Sequence, residues 1–151
     1  MIFVVRHAHA GSSANWKGPG DERPLSERGH LQAKRIGEAL FADGATTVFS
    51  SPYLRCVQTV SPLAAMLDIE VDELPELAEG AGGSGAARLV LDAVEGTVIC
   101  SHGDVLHALG GLFAAGGAPL GPWMPFEKGA ILRLERDGGR IVSASYEAPE
   151  R

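Results

Sequence analysis

The chain has only two cysteines, Cys56 and Cys100, and neither their spacing nor their surroundings suit a metal. Both sit in apolar stretches, so they read as buried thiols of a reducing compartment rather than a disulfide framework. Long hydrophobic runs are missing too. The apolar start Met1-Ile2-Phe3-Val4-Val5 is interrupted by Arg6, too early for a signal-peptide core or a membrane span. Positive charge is in deficit, with 13 Lys and Arg against 19 Asp and Glu and a net charge of −6. This argues against nucleic acid as a bulk partner, which needs a positive surface, but leaves room for a small anion held by local charge. What remains is an apolar fraction of 45% in 151 residues, enough for one packed domain. A single cytoplasmic domain over residues 1–151, with no membrane partner, is the expectation.

Strands and helices alternate along the chain. Ile2 to Val5 is a continuous apolar, β-branched run, as in a strand covered on both faces. A polar, Gly-rich loop occupies residues 10–23. Ser26 is a helix N-cap, and the helix runs to about Ala42, with Ala33, Ile36 and Leu40 on one face and Gly44 ending it. Thr46 to Phe49 is a second strand. Ser50-Ser51-Pro52 reads as a cap with proline at the first helical position; Pro62 is expected to break or kink that helix, and Ser61 to cap a fresh turn. Ile69 to Val71 is a candidate third strand, residues 77–85 a mobile loop, and residues 86–94 a helix. Thr97 to Cys100 is another buried strand, followed by a helix from Val105 to Ala115. A proline-rich loop with Trp123 and Phe126 spans residues 119–128. Ile131 to Glu135 and Ile141 to Tyr146 form a hairpin across Asp137-Gly138-Gly139. The pattern predicts an α/β fold, a three-layer α/β/α sandwich with a mostly parallel central sheet. Ligands of such folds bind beyond the carboxyl ends of the strands.

Three clusters fall at those ends. Arg6-His7 follows the first strand, Ser51-Pro52-Tyr53-Leu54-Arg55 the second, and Ser101-His102-Gly103-Asp104 the buried strand before the last helix. Arg55 lies in the first turn of a helix, where the dipole disfavours a cation unless an anion binds beside it. Gly103 lets the backbone approach closely. Two guanidiniums suit a tetrahedral phosphate, and a neutral imidazole is a competent phosphorus nucleophile.

Arg6-His7-Ala8, Ser51 to Arg55 with Gln58-Thr59, and Ser101-His102-Gly103 resemble the signature of the histidine phosphatase superfamily, the phosphoglycerate-mutase-like proteins. Pro24-Leu25-Ser26-Glu27-Arg28-Gly29 with Gln32-Ala33 resembles its first-helix segment. The short length and Leu74-Pro75-Glu76-Leu77 resemble the small SixA-like phosphohistidine phosphatase branch. The stretch from Ala8 to Gly18 is also similar to the phosphatase-like domain of some two-domain Nudix hydrolases, with no Nudix portion in the sequence. The resemblance implies His7 as nucleophile and Arg6, Arg55 and His102 as the phosphate pocket, to which Ser51 and Gly103 add substrate contacts. It implies Glu76 as the acid, with Glu79 as a substitute, and no metal or cofactor.

The substrate would be a phosphorylated protein or a small phosphorylated molecule. The loops are too short for a folded lid, which favours phosphohistidine on a protein over sugar phosphates or nucleotides. Mutase activity, a silent phosphate-binding module, and a metal-dependent hydrolase built on His7, His9, His102, Asp104 and His107 are the alternatives. Against the last, the paired arginines would repel a cation. His9, His107, His30 and Arg28 read as loop or surface residues. Trp16 and Lys17 are placed to gate the pocket, and Lys128 could reach substrate.

Overall fold

A computed structural model describes residues 1–121 and 126–150. Among them a six-stranded sheet has the order β3-β2-β4-β1-β5-β6. Its strands are β1 (Ile2–Arg6), β2 (Thr47–Ser50), β3 (Asp72–Glu73), β4 (Thr97–Ser101), β5 (Ile131–Asp137) and β6 (Arg140–Glu147). The first four run parallel, and β5 and β6 add an antiparallel hairpin at one edge. The helices are α1 (Glu27–Ala42), α2 (Leu54–Leu67), α3 (Ser84–Asp92) and α4 (Gly103–Ala115).

The strand alternation sorts two cores. Ile2, Val4 and Ile99 face α3 and α4, packing on Val90, Leu106 and Leu109. Phe3, Val5, Val98 and Cys100 face α1 and α2, packing on Ile36, Leu40, Val60 and Leu63. This is the expected three-layer sandwich. β1 and β4 are buried on both faces, which is why they read as unbroken apolar runs. The chain leaves β1 toward β2 on one side and leaves β4 toward β5 on the other. The crevice between β1 and β4 is therefore the switch point, and Arg6 and Ser101 are register partners at its mouth.

Several local expectations held and several did not. Ser26 caps α1, its Oγ accepting from the Gly29 N–H at 3.0 Å, and Gly44 follows the helix end at φ +90°. The hairpin turns on Gly138 and Gly139, both at positive φ, as a two-residue turn requires. Ser51 is not a helix cap: α2 starts at Leu54 behind Tyr53. Pro62 lies inside α2 without ending it, and Ser61 Oγ donates to the Val57 carbonyl at 2.6 Å instead of starting a new turn. The third strand falls at Asp72–Glu73, not residues 69–71, because only Phe49 and Ser50 offer pairing partners there. The glycine-rich segment after Leu77 is tied down: the Gly80 N–H donates to Asp104 Oδ2 at 2.8 Å, and α3 begins by Ser84. Trp123 lies outside the described residues.

One close approach fixes the first loop against α1. The Ser26 N–H donates to the His9 carbonyl at 3.0 Å, Ser26 Oγ bonds His9 Nδ1 at 2.7 Å, and a Cβ on Gly29 would overlap the His9 carbonyl oxygen. Ser26→Ala should cost about 1 kcal/mol, the usual value of an N-cap. For a chain of this size that is a fall in Tm of roughly 2–4 °C, read by thermal unfolding. Gly29→Ala should cost more, since backbone must move.

Candidate active site

His7 is 4% exposed and follows β1 directly. Its Nδ1 lies 2.8 Å from the Ala8 carbonyl, and since a carbonyl only accepts, Nδ1 carries the proton. Nε2 is left with its lone pair turned toward Arg55, whose Nε is 3.4 Å away. Burial pushes the pKa of His7 down to about 3; the Ala8 carbonyl opposes the shift, and the charges of Arg55, His102 and Arg6 add to it. The ring is therefore neutral near pH 7. The backbone behind it is held by Thr59, whose Oγ1 accepts from the Ala8 N–H at 2.9 Å and donates to the Arg55 carbonyl at 2.7 Å.

Arg55 is 3% exposed in the first turn of α2. Besides His7, its Nη1 donates to the Gly20 carbonyl at 2.9 Å, and its Nη2 reaches Glu79 Oε2 at 3.0 Å and His102 Nδ1 at 3.4 Å. With Nδ1 accepting, His102 Nε2 donates to Ser51 Oγ at 2.8 Å, and Ser51 Oγ also accepts from the Tyr53 N–H at 3.2 Å. Tyr53 packs edge-on against His102, with ring centroids 4.7 Å apart. His102 and His7 have ring centroids 5.5 Å apart.

Arg6 closes the other side. Its Nη1 donates to the Phe126 carbonyl at 2.6 Å, while its Nε is buried with no hydrogen-bond partner among the described residues. The guanidinium lies over the first residue of α4: a Cβ on Gly103 would stand 2.8 Å from Arg6 Cζ. Helices α2 and α4 both begin at this end of the sheet, so their free first-turn amides and positive dipole ends face the same space as the two guanidiniums.

Arg6, His7, Ser51, Arg55, His102 and Gly103 thus come together. Glu76 does not join them: it is exposed in the turn Pro75–Leu77 and borders a depression with Gly85, Arg88 and Asp92. Glu79 is the carboxylate that touches the cluster. The alternative metal set is also dispersed. The His9 ring bonds Ser26, Asp104 accepts from Gly80, and His107 is exposed beside Gly110 and Gly111. Among the described residues no three His, Cys, Asp or Glu side chains could hold a metal ion, and no helix is long and apolar enough to cross a membrane. Sequence reasoning placed Gln32, Gln58 and Thr59 within the family-like motifs but gave them no role, and the structure shows them as supports. The Gln32 and Gln58 side-chain oxygens accept from the backbone N–H groups of His9 and Leu25.

A neutral buried imidazole facing two guanidiniums, with two helix N-termini around it, is chemically suited to a phosphoryl group. Residues 2–87 match the model of the histidine phosphatase superfamily, branch 1. An 8-oxo-(d)GTP phosphatase of Mycolicibacterium smegmatis is 34% identical over 154 aligned residues, which cover 98% of this chain and 48% of that protein. The chain thus spans about half the length of this curated relative. Among solved structures, SixA from Agrobacterium tumefaciens superposes with a TM-score of 0.74 at 20% identity, covering 98% of this chain and 97% of the other. The protein histidine phosphatase SixA complexed with tungstate gives 0.75 at 20% identity, covering 98% and 94%. The chain belongs to the histidine phosphatase superfamily.

The burial of neutral His7 has a measurable consequence. Between pH 6.5 and about 3 an unfolded chain holds a proton on this ring that the folded protein does not. Stability from this site is therefore complete above about pH 6.5 and is lost as pH falls toward 3. Urea unfolding at a series of pH values should show wild type losing a few kcal/mol more than His7→Asn across this window, since each tenfold change in proton affinity is worth about 1.4 kcal/mol.

Proposed function

We propose that this chain hydrolyses phosphorylated substrates through a covalent phosphohistidine on His7, without a metal or organic cofactor. The observation that carries this reading is the Nδ1–H contact to Ala8, which leaves Nε2 unprotonated and aimed at the Arg55 guanidinium. Nε2 attacks phosphorus as the bond to the leaving group breaks. Charge on the transferring oxygens is met by Arg6, Arg55 and His102, supported by Ser51 and by the backbone at Gly103. Water then attacks the phosphorus of the phosphohistidine, the P–N bond breaks, and inorganic phosphate leaves with neutral His7 restored.

Glu76 stands away from this path, and we assign the carboxylate role to Glu79. Paired with the Arg55 guanidinium, Glu79 suits a base for the hydrolytic water rather than an acid for the leaving group. The first step then depends on a group that departs without a proton. Two substrate classes meet that condition. The SixA-like fold and the open mouth fit phosphohistidine on a protein, and the nucleotide activity of the M. smegmatis relative fits a phosphoanhydride. The two free, buried thiols fit a reducing cytoplasm.

His7→Ala should abolish turnover and the acid-labile, base-stable label that wild type acquires from labelled substrate; full activity in this variant would sink the reading. Arg55→Ala should lose on the order of 10²–10³ in rate. Gly103→Ala, which displaces the Arg6 guanidinium, should lose on the order of 10². Glu79→Gln should slow hydrolysis of the phosphoenzyme and raise its steady-state level, whereas Glu76→Gln should change neither step.

A further inference from the structure

The loop between β1 and α1 is a built wall, hydrogen-bonded to the active centre. Arg55 Nη1 holds the Gly20 carbonyl at 2.9 Å, and the adjoining Pro19 carbonyl accepts from Trp16 Nε1 at 2.7 Å. Gly18 lies under the indole, where a Cβ would stand 2.8 Å from Trp16 Cζ2. The ring is thus fixed on one side, yet Trp16 remains 37% exposed. It borders an open cavity of about 200 Å³ together with Ala10, Asn15, Arg23 and Ser26. An exposed tryptophan with a fixed ring is a stacking platform.

Unused positive charge lines that cavity at Arg23. Arg23 spends only Nη1, on the Ala10 and Gly11 carbonyls at 2.7 and 3.4 Å; its Nε and Nη2 bond no described residue. Lys128 makes no hydrogen bond or ion pair with a described residue, and it adjoins Gly129, whose N–H donates to the Arg6 and His7 carbonyls. Asp21 and Glu22, in the same loop, pair with neither cation. Burial, with Arg6, Arg23 and Arg55 adding to it, pushes the Lys128 pKa down. In a chain of net charge −6, the free edge of Arg23 is positive charge beyond the Arg6 and Arg55 guanidiniums that meet the transferred phosphoryl group.

We infer that the cleft between Trp16 and Arg23 is the leaving-group subsite, and that it takes a nucleoside diphosphate or triphosphate. The base lies on Trp16, and the phosphate next to the one transferred lies on the free edge of Arg23. The inference rests on the His7 mechanism proposed above and names its substrate class. In the first step the bond from the terminal phosphorus to the bridging oxygen breaks, and the shortened nucleotide carries away the electron pair. Its phosphate leaves as a stable anion, since the second ionisation of a phosphate monoester lies near pH 6. No acid is required, in keeping with Glu79, a carboxylate that touches the pocket, being already paired with Arg55.

The test compares kcat/KM for ADP, GDP, CDP and UDP with pyrophosphate, which lacks the base, and with the matching monophosphates, which lack the second phosphate. The best diphosphate should exceed both by about tenfold or more, the range for one base stacked on an aromatic side chain. Trp16→Leu should collapse the ratio to pyrophosphate toward one, and Arg23→Gln the ratio to the monophosphate. In His7→Ala protein, which cannot turn over, GDP should quench tryptophan fluorescence, and added Trp16→Leu should remove the quench. Diphosphates no better than pyrophosphate, ratios that survive both substitutions, or a phosphohistidine-bearing protein preferred tenfold over every nucleotide would overturn the subsite and leave the His7 mechanism standing. Failure of that mechanism shows separately, as no acid-labile label from acetyl phosphate, and overturns both.

Discussion

Arg55 carries a full charge in a position that is 3% exposed, and a charge taken out of water must be satisfied where it sits. Its guanidinium uses the fork geometry to do this four ways at once, on His7, His102, the Gly20 carbonyl and Glu79. Each contact comes from a different part of the chain: the end of β1, the start of α4, the first loop, and the turn before α3. The pocket is assembled around one cation, which fixes the imidazoles relative to each other and pins the loop that carries Trp16. Lysine could not replace it, because a point charge on a flexible stem has no planar fork.

The parts of this arrangement that were legible in the sequence are those set by local rules. A buried parallel strand shows as an unbroken apolar run, and α1 shows as a capped, amphipathic helix. The strand-end rule then brought Arg6-His7, Arg55 and His102 to one side of the sheet. The errors lie where long-range contacts override local preference. Ser51 has the chemistry of an N-cap but is claimed by His102 across the crevice, so α2 starts at Leu54. Pro62 forfeits only its own backbone bond, and packing of Leu63 and Ala64 against the core carries the helix through. The choice between Glu76 and Glu79 depends on which way a three-residue turn faces, and residue spacing does not record that.

The surface charge follows the same division between global and local. Most of the acidic excess is spread over helix exteriors and turns, whereas Arg6 and Arg55 meet at one mouth, with Arg23 on the loop that Arg55 holds. An anion approaching such a molecule meets weak repulsion at a distance and a focused attraction near the crevice, where low-dielectric walls and limited screening strengthen it. Net charge alone therefore says little about what this protein binds. One of the two thiols touches this site: Cys56 Sγ is hydrogen-bonded to His102 Nε2 at 3.5 Å, while the residue packs as part of the core between sheet and helices.

The sheet order has a consequence for how the protein comes into being. Among the described residues β1 pairs with β4 and β5, so the strand that leads into His7 waits without a neighbour until Thr97–Ser101 has been synthesised. Closing so long a loop is slow compared with forming a helix or a hairpin. His7 accordingly stays unassembled until β4 has emerged, and the pocket forms only when the centre of the sheet zips shut. Until then an apolar strand is exposed on both edges, which makes the nascent chain, rather than the finished protein, the species most prone to aggregate.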